Sequence, residues 1–88
     1  MNIEAFVRER FEQNKFVAGV ARKNYGFGRK DVGSDEEFKS VVAYLDQLEA
    51  DRRIEFVTRH PENESGLLIV DLVLVRLTYL GRVWLAWE

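Results

Sequence analysis

Apolar residues recur at helical spacing in two parts of the chain. Residues 2 to about 23 place them on one broad face at about 100° per residue, which predicts one bent helix or two shorter ones. A second helix is predicted to begin at Asp35 and to end near residues 51–53, because Ser34 and Glu37 have the spacing of a capping box. The residues that set its period are Phe38, Val41, Val42, Leu45 and Leu48.

The second half of the chain has the composition of paired strands. β-Branched and aromatic residues predict a strand over residues 54–59. A polar stretch with Pro61, Asn63 and Gly66 predicts a hairpin loop over residues 60–66. A second apolar strand is then predicted over residues 67–77.

Glycine marks two further segments. Three glycines within residues 25–33 predict a loop, with a short strand around Phe27. Thr78 is expected to cap a short final helix, which Gly81 weakens by roughly 1 kcal/mol relative to alanine. The apolar side of that helix carries Leu80, Val83, Trp84 and Trp87.

The length of 88 residues predicts one domain, residues 1–88. A hydrophobic content of 47% with 32% charged residues predicts a folded chain. The first eleven residues are too charged for a signal peptide, and the most apolar stretch, residues 67–77, is much shorter than the roughly 20 residues of a membrane-spanning helix. We therefore expect a cytoplasmic protein without a membrane contact.

The residue types argue against an enzyme and against a cofactor. The chain has no cysteine and a single histidine, His60, so neither a disulfide framework nor a histidine–thiolate metal site is expected. The serines at 34, 40 and 65 have only His60 to serve as a general base. Gly26 and Gly28 form a glycine pair without the rest of a nucleotide-binding motif. We predict no metal site, no cofactor and no catalytic residue.

The order helix, loop, helix, strand, loop, strand, helix is that of a winged helix-turn-helix, and short motifs agree with it. Residues 42–54, VAYLDQLEADRRI, look like a winged-helix recognition helix entering the first wing strand, and residues 77–85, LTYLGRVWL, resemble the step from the second wing strand into a closing helix. Over residues 38–86 the chain resembles the YjcQ-type group of small phage-associated winged-helix proteins. The resemblance implies an α+β fold, with helices packed on a two- or three-stranded antiparallel wing, and a regulatory role; it carries over no catalytic residue. Residues 1–33 lie outside it, and no second helix of the motif is visible before Ser34.

Charge is unevenly distributed along the chain. Residues 1–33 carry seven basic and four acidic residues, a net of +3, whereas residues 34–53 carry three and six, a net of −3, and residues 54–88 three and five, a net of −2. Basic and aromatic residues alternate with glycine over residues 22–30, a pattern that suits a phosphate backbone and stacked bases. The alternative is an ordinary solvated loop with its aromatics in the core. The candidate nucleic-acid contacts are Arg22, Lys23, Tyr25, Arg29, Lys30, Lys39, Ser40, Arg59 and His60.

The acidic start of the presumed recognition helix changes this picture. Asp35, Glu36 and Glu37 would be repelled by phosphate where such a helix usually enters the major groove. Either duplex DNA is met by the 22–30 loop and the wing, or the fold has become a protein-interaction module. In the second case an acidic face with Asp35, Glu36 and Asp46 would meet a basic partner.

The strand over residues 67–77 is apolar on both faces, so both faces need a cover. We expect a homodimer that uses Leu72, Leu74, Trp84 and Trp87; the alternative is that the C-terminal helix of the same chain suffices. The leading functional prediction is a small, non-enzymatic, phage-derived DNA-binding or transcription-regulatory protein. The alternative is a winged-helix adaptor or inhibitor that binds protein through its acidic helix face.

Overall fold

A computed structural model describes residues 2–13, 16–17, 20–21, 24–58 and 72–87 of the chain. Within these residues there are three α-helices, five strands and one short 3₁₀ helix. In chain order they are α1 (Ile3–Gln13), β1 (Phe16–Val17), β2 (Val20–Ala21), β3 (Tyr25–Gly28), the 3₁₀ helix (Arg29–Asp31), α2 (Asp35–Ala50), β4 (Ile54–Thr58), β5 (Leu72–Leu77) and α3 (Tyr79–Trp87).

The first helix is shorter than the sequence pattern predicted. It ends at Gln13, although the sequence pattern predicted helix as far as about residue 23. Within that predicted helical segment, β1 and β2 pair as antiparallel strands. Phe16 pairs with Ala21, and Val17 with Val20. Aromatic and β-branched residues suit such a pair better than a helix, because their side chains lose rotamer freedom against a preceding helical turn.

The larger sheet has three antiparallel strands in the order β3-β5-β4, so β5 lies in its centre. Phe27 pairs with Val73, Tyr25 with Val75, and Ile54 with Leu77, and all six side chains face the core. The expectation of an α+β fold with helices on a three-stranded antiparallel sheet is thus confirmed at the level of class and sheet. The predicted hairpin loop at 60–66 and the start of the second predicted strand, residues 67–71, lie outside the described residues.

The core is one cluster to which all three helices contribute. Phe11 of α1 packs edge-on against Tyr25 and Phe27 of β3, with ring centroids 4.8 and 5.5 Å apart. The helix α2 adds four buried residues, and α3 adds Trp84 and Leu85. The cluster comprises Val7, Phe11, Tyr25, Phe27, Phe38, Val41, Leu45, Leu48, Ile54, Val73, Val75, Leu77, Trp84 and Leu85.

Both ends of α2 are closed by local hydrogen bonds. At its start, Ser34 Oγ accepts a hydrogen bond from Glu37 N at 3.2 Å, which confirms the predicted cap. At its end, Arg53 N donates to Leu48 O and Arg52 N donates to Glu49 O, both at 2.9 Å. This is a Schellman motif, and Arg52 adopts the left-handed φ of 62° that the motif requires.

The turn after α2 also anchors α3. Thr78 Oγ1 accepts from Gly81 N at 3.1 Å and donates to Arg52 O at 2.5 Å, while Thr78 N donates to Arg53 O at 3.1 Å. A Cβ atom on Gly81 would lie 1.9 Å from Arg53 O. Glycine therefore lowers helix propensity at this position but permits α3 to pack directly on the backbone of the turn.

Candidate interaction surfaces

The free edge of β3 is covered by an ion pair between α1 and the 3₁₀ helix. Arg10 Nε donates to Gly26 O at 3.2 Å, and Gly28 N donates to Asp31 Oδ2 at 2.8 Å. Arg10 and Asp31 also form a salt bridge with each other. Alternate residues of a strand direct their backbone groups to the same edge, so the pair satisfies two groups that an added strand would use. We call this arrangement the Arg10–Asp31 edge cap.

Three further arginines, Arg8, Arg29 and Arg53, are also held by intramolecular contacts. The guanidinium carbon of Arg29 lies 5.2 Å from the centroid of Phe38, and Arg29 forms an ion pair with Asp35. The guanidinium carbons of Arg8 and Arg53 lie 4.6 and 5.3 Å from the centroid of Trp84. These stacked geometries are typical of cation–π contacts. Part of the basic excess of residues 1–33 therefore stabilises the fold.

The predicted nucleic-acid contacts do not all reach the surface. Tyr25 is 5% exposed and packs on Phe11, so its ring cannot stack on a base. For this residue the alternative interpretation, that the aromatic side chain lies in the core, is correct. Lys30, Lys39 and Ser40 are exposed, and Arg29 is half-buried in its contacts with Asp35 and Phe38. Four further candidates lie outside the described residues: Arg22, Lys23, Arg59 and His60.

The exposed side of α2 is acidic but interrupted. Asp35, Glu36 and Asp46 are all exposed, as the protein-interaction alternative requires. Asp35 and Asp46, however, are three turns apart, about 16 Å along the helix axis. Lys39 lies between them on the same side, and Arg29 pairs with Asp35. The three carboxylates therefore do not form one continuous acidic surface.

Tyr44 joins α2 to α1 on the opposite flank of the helix. Its hydroxyl donates to Glu4 Oε2 at 3.4 Å. Burial raises the pKa of Tyr44 above its ordinary value of 10.0, and the neighbouring Glu4 carboxylate raises this pKa further. The phenol is therefore neutral at physiological pH and acts as a hydrogen-bond donor between the two helices.

The outer face of the large sheet is only partly covered. Leu72 is 49% exposed and Leu74 is half-buried, while Arg76 farther along β5 is exposed. A Cβ atom on Gly26 would lie 3.4 Å from Leu72 Cδ1 and 3.5 Å from Leu74 Cδ2, so the two leucines cover the bare backbone of β3. Since α3 packs into the core, it does not cover this outer face as the single-chain alternative expected.

Of the predicted dimer residues, Trp84 is wrongly assigned. It is 5% exposed and belongs to the core, where Arg8 and Arg53 stack on its ring. Trp87, in contrast, is 83% exposed. The two tryptophans are three residues apart on α3. Trp84 lies on the same side as Gly81, which faces the core, whereas Trp87 lies outside the core.

The most exposed apolar surface of the described residues is a stripe along α3. Tyr79 is 71% exposed and Leu80 49% exposed, and Val83 and Trp87 continue the series. At helical spacing these four residues fall within an arc of about 100°. We call them the α3 stripe: Tyr79, Leu80, Val83 and Trp87.

Sequence reasoning missed most of the α3 stripe because it placed Leu80, Val83, Trp84 and Trp87 on one apolar side and assigned only the two tryptophans of that side to an interface. The signal was nevertheless present, since Arg82 is the only charged residue between Tyr79 and Trp87. A helix that is apolar nearly all round has more apolar surface than one core-facing side can bury. Gly81 indicates which side of α3 is buried, because glycine permits the closest approach to a neighbouring backbone.

Among the described residues, no group of three or more histidine, cysteine, aspartate or glutamate side chains is arranged to hold a metal ion. No helix of the same residues is long and apolar enough to cross a membrane. A scan against protein-family models, a search of curated proteins and a search of solved structures each gave no match to this chain.

Proposed function

We propose that the chain is a non-enzymatic, winged-helix-like protein-interaction module that binds through the α3 stripe. The observation that carries this proposal is the exposure of Tyr79, Leu80, Val83 and Trp87 on one side of a single helix. The largest contiguous apolar patch on a monomeric protein, commonly a few hundred Å² in area, often marks a binding site. Tyrosine and tryptophan are also enriched at the energetically dominant positions of protein interfaces.

The order of elements supports the winged-helix-like assignment. The strand β3 precedes α2, and β4 and β5 follow it as a hairpin that would form the wing, with β5 between its two partners. The 3₁₀ helix Arg29–Asp31 lies in the chain where the motif has its short second helix. A shortened second helix explains why the sequence showed no helical period before Ser34.

The surface chosen differs from the acidic helix face that the sequence suggested. Lys39 interrupts the exposed carboxylates of α2, and Asp35 is paired with Arg29. The α3 stripe is continuous, and Arg82, the one charged residue of the helix, lies on its flank. Apolar burial supplies more binding free energy than exposed charges, whose pairs contribute at most about 1 kcal/mol each.

The experiment compares two leucines of equal exposure. Leu80, on the α3 stripe, and Leu72, on the sheet, are each 49% exposed. Immobilised Leu80→Ser and Leu72→Ser variants, with the unaltered chain, are used to capture proteins from the native host, and each captured partner is then measured with purified components. We expect binding to fall at least tenfold for Leu80→Ser and to persist for Leu72→Ser. A partner that both variants retain fully would contradict the proposal.

A DNA-binding or transcription-regulatory role is the second candidate. It is supported by the exposure of Lys30, Lys39 and Ser40 around the start of α2 and by the basic excess of residues 1–33. Phosphate contacts weaken steeply between about 50 and 200 mM salt, so duplex binding is measured at both concentrations. Salt-sensitive binding that Lys39→Ala reduces, and that Gln47→Ala on the same exposed side leaves unchanged, would support this role. Absence of binding at the lower salt concentration excludes it.

A further inference from the structure

We propose that the occupant of the α3 stripe is a second copy of this chain, with two α3 helices packed antiparallel about a two-fold axis at Val83. This inference rests on the proposed function, because it names the partner of the same surface. It also keeps Trp87 of the sequence-based dimer and replaces Leu72, Leu74 and Trp84 by three other residues of the α3 stripe, Tyr79, Leu80 and Val83.

Three of the four residues of the α3 stripe are arranged symmetrically about Val83. Tyr79 and Trp87 each lie four residues from Val83, or about 6 Å along the helix axis. A two-fold axis at Val83 therefore brings Tyr79 of one copy beside Trp87 of the other, twice. The smallest residue of the stripe lies at the axis, where two helices approach most closely, and the aromatic rings lie at the ends, where space is larger. An isologous interface requires this kind of self-complementary patch.

The exposed area of the stripe fits a weak dimer. Tyr79 and Trp87 are 71% and 83% exposed, and fully buried aromatic side chains each bury about 150–250 Å². With Leu80 and Val83 the stripe offers on the order of 400 Å² per copy, or about 800 Å² for the pair before flanking residues are added. Specific stable interfaces begin near 1,000–1,200 Å² in total, so the stripe alone is below that size and the dimer is expected to be weak and to depend on concentration.

The stripe itself carries no charge. Arg82 lies on its flank, and the two-fold axis at Val83 leaves one Arg82 on each helix, both on the same exposed face of the pair, where salt and water screen their repulsion. One different route to self-association, strand addition at the β3 edge of the sheet, is obstructed by the Arg10–Asp31 edge cap. The α3 stripe is thus both apolar and accessible, whereas the β3 edge is already satisfied.

Sedimentation analysis tests the stoichiometry with the same matched leucines. The unaltered chain is expected to pass from monomer to dimer as its concentration rises toward about 1 mM. Leu80→Ser should weaken the dimer at least tenfold, and Leu72→Ser should change it less than twofold. Circular dichroism and the fluorescence of buried Trp84 verify that each variant is folded.

Disulfide trapping tests the geometry, since the chain has no cysteine of its own. Under mild oxidation Val83→Cys should form a covalent dimer readily, and Leu72→Cys should not. A mixture of Tyr79→Cys and Trp87→Cys should give the mixed dimer in preference to either self-dimer, because each self-pair is about 12 Å apart along the axis and a disulfide needs Cα atoms within about 7 Å.

The outcomes separate this inference from the proposed function. A chain that stays monomeric at every concentration, yet loses a captured partner in Leu80→Ser, overturns the dimer and leaves the protein-interaction function in place. A dimer weakened by Leu72→Ser and not by Leu80→Ser overturns the α3 arrangement and moves the interface to the sheet. Self-dimers of Tyr79→Cys in excess over the mixed dimer overturn the antiparallel order.

Discussion

The helices α2 and α3 use apolar residues in opposite ways. In α2 the residues Phe38, Val41, Leu45 and Leu48 are all buried, and no large apolar side chain of this helix is exposed. In α3 only Gly81, Trp84 and Leu85 are buried, while the four side chains of the α3 stripe remain outside. The described fold thus leaves no large apolar side chain of α2 exposed, but it leaves a second apolar side on α3.

This difference means that the apolar residues of α2 stabilise the fold, whereas those of the α3 stripe are available to a partner. A helix needs one apolar stripe to join a core, and α2 has that stripe and a polar opposite side. Apolar surface beyond that requirement brings no stability to a monomer, but it contributes binding free energy when a partner covers it. Substitutions in the two helices can therefore be compared directly: those in α2 should affect folding, and those on the α3 stripe should affect association.

The largest expected effect contrasts a leucine from each helix. Leu45 is fully buried, so Leu45→Ala should lower the free energy of unfolding by about 4 kcal/mol through lost burial and a residual cavity. Leu80 is 49% exposed, and Leu80→Ala should cost the monomer less than about 1 kcal/mol. Urea unfolding at low protein concentration measures both. Equal losses in the two variants would mean that the α3 stripe is needed for the fold itself.

The next effect concerns the anchoring of α3. A Cβ atom at position 81 would lie 1.9 Å from Arg53 O, so Gly81→Ala should destabilise the fold by about 3 kcal/mol despite its better helix propensity. Arg82→Ala, at an exposed neighbouring position, is the matched control and should change stability by less than about 0.5 kcal/mol. A stabilised Gly81→Ala variant would show that α3 does not pack on the turn after α2.

The two helix caps give a smaller contrast. Ser34 makes one backbone hydrogen bond at the start of α2, and Ser34→Ala should cost about 1 kcal/mol. Thr78 both caps α3 and donates to Arg52 O, so Thr78→Ala should cost about 2 kcal/mol. Thr78→Ser keeps the hydroxyl and should recover most of this loss. Thermal unfolding measures the stability of the three variants. A larger loss of stability for Ser34→Ala than for Thr78→Ala would contradict this prediction.

The smallest effect is a dependence on alkaline pH. The pKa of Tyr44 is raised in the folded chain by burial and by Glu4, so its contribution is fully present below about pH 10 and is lost as the pH rises above that value. The free energy of unfolding of Tyr44→Phe should therefore vary less with pH than that of the unaltered chain. The comparison covers pH 9 to pH 11, about one unit on either side of the ordinary phenol pKa. Identical alkaline profiles for the two proteins would show that Tyr44 loses its proton equally in both states.

Local signals were sufficient for much of the fold. The cap at Ser34, the period of α2 and the β-branched residues after it predicted α2 and the start of β4 correctly. The first helix was overextended because Val17, Val20 and Ala21 continue a helical period over four residues that pair as strands instead. Periodicity alone cannot distinguish these possibilities in short apolar segments, since the choice depends on which partner the segment meets.

The candidate site was harder to predict because it depends on which side of α3 is buried. That choice follows from the approach of Gly81 to Arg53 O, two residues that are distant in sequence. The role of Arg10 was hidden for the same reason, since Gly26 and Asp31 meet it only through the fold. Whether Arg22, Lys23, Arg59 or His60 contacts a nucleic acid, and the cytoplasmic location of the chain, stay predictions.

The Arg10–Asp31 edge cap has a consequence for how many copies can assemble. A sheet with an open edge can recruit strand after strand, and growth by that route has no natural limit. At β3 two of the outward backbone groups, Gly26 O and Gly28 N, are bound by side chains of the same molecule. Association through one helix surface and a two-fold axis consumes that surface in both copies, so the assembly stops at two. Arg10 and Asp31 thus oppose open-ended growth from the β3 edge of the sheet.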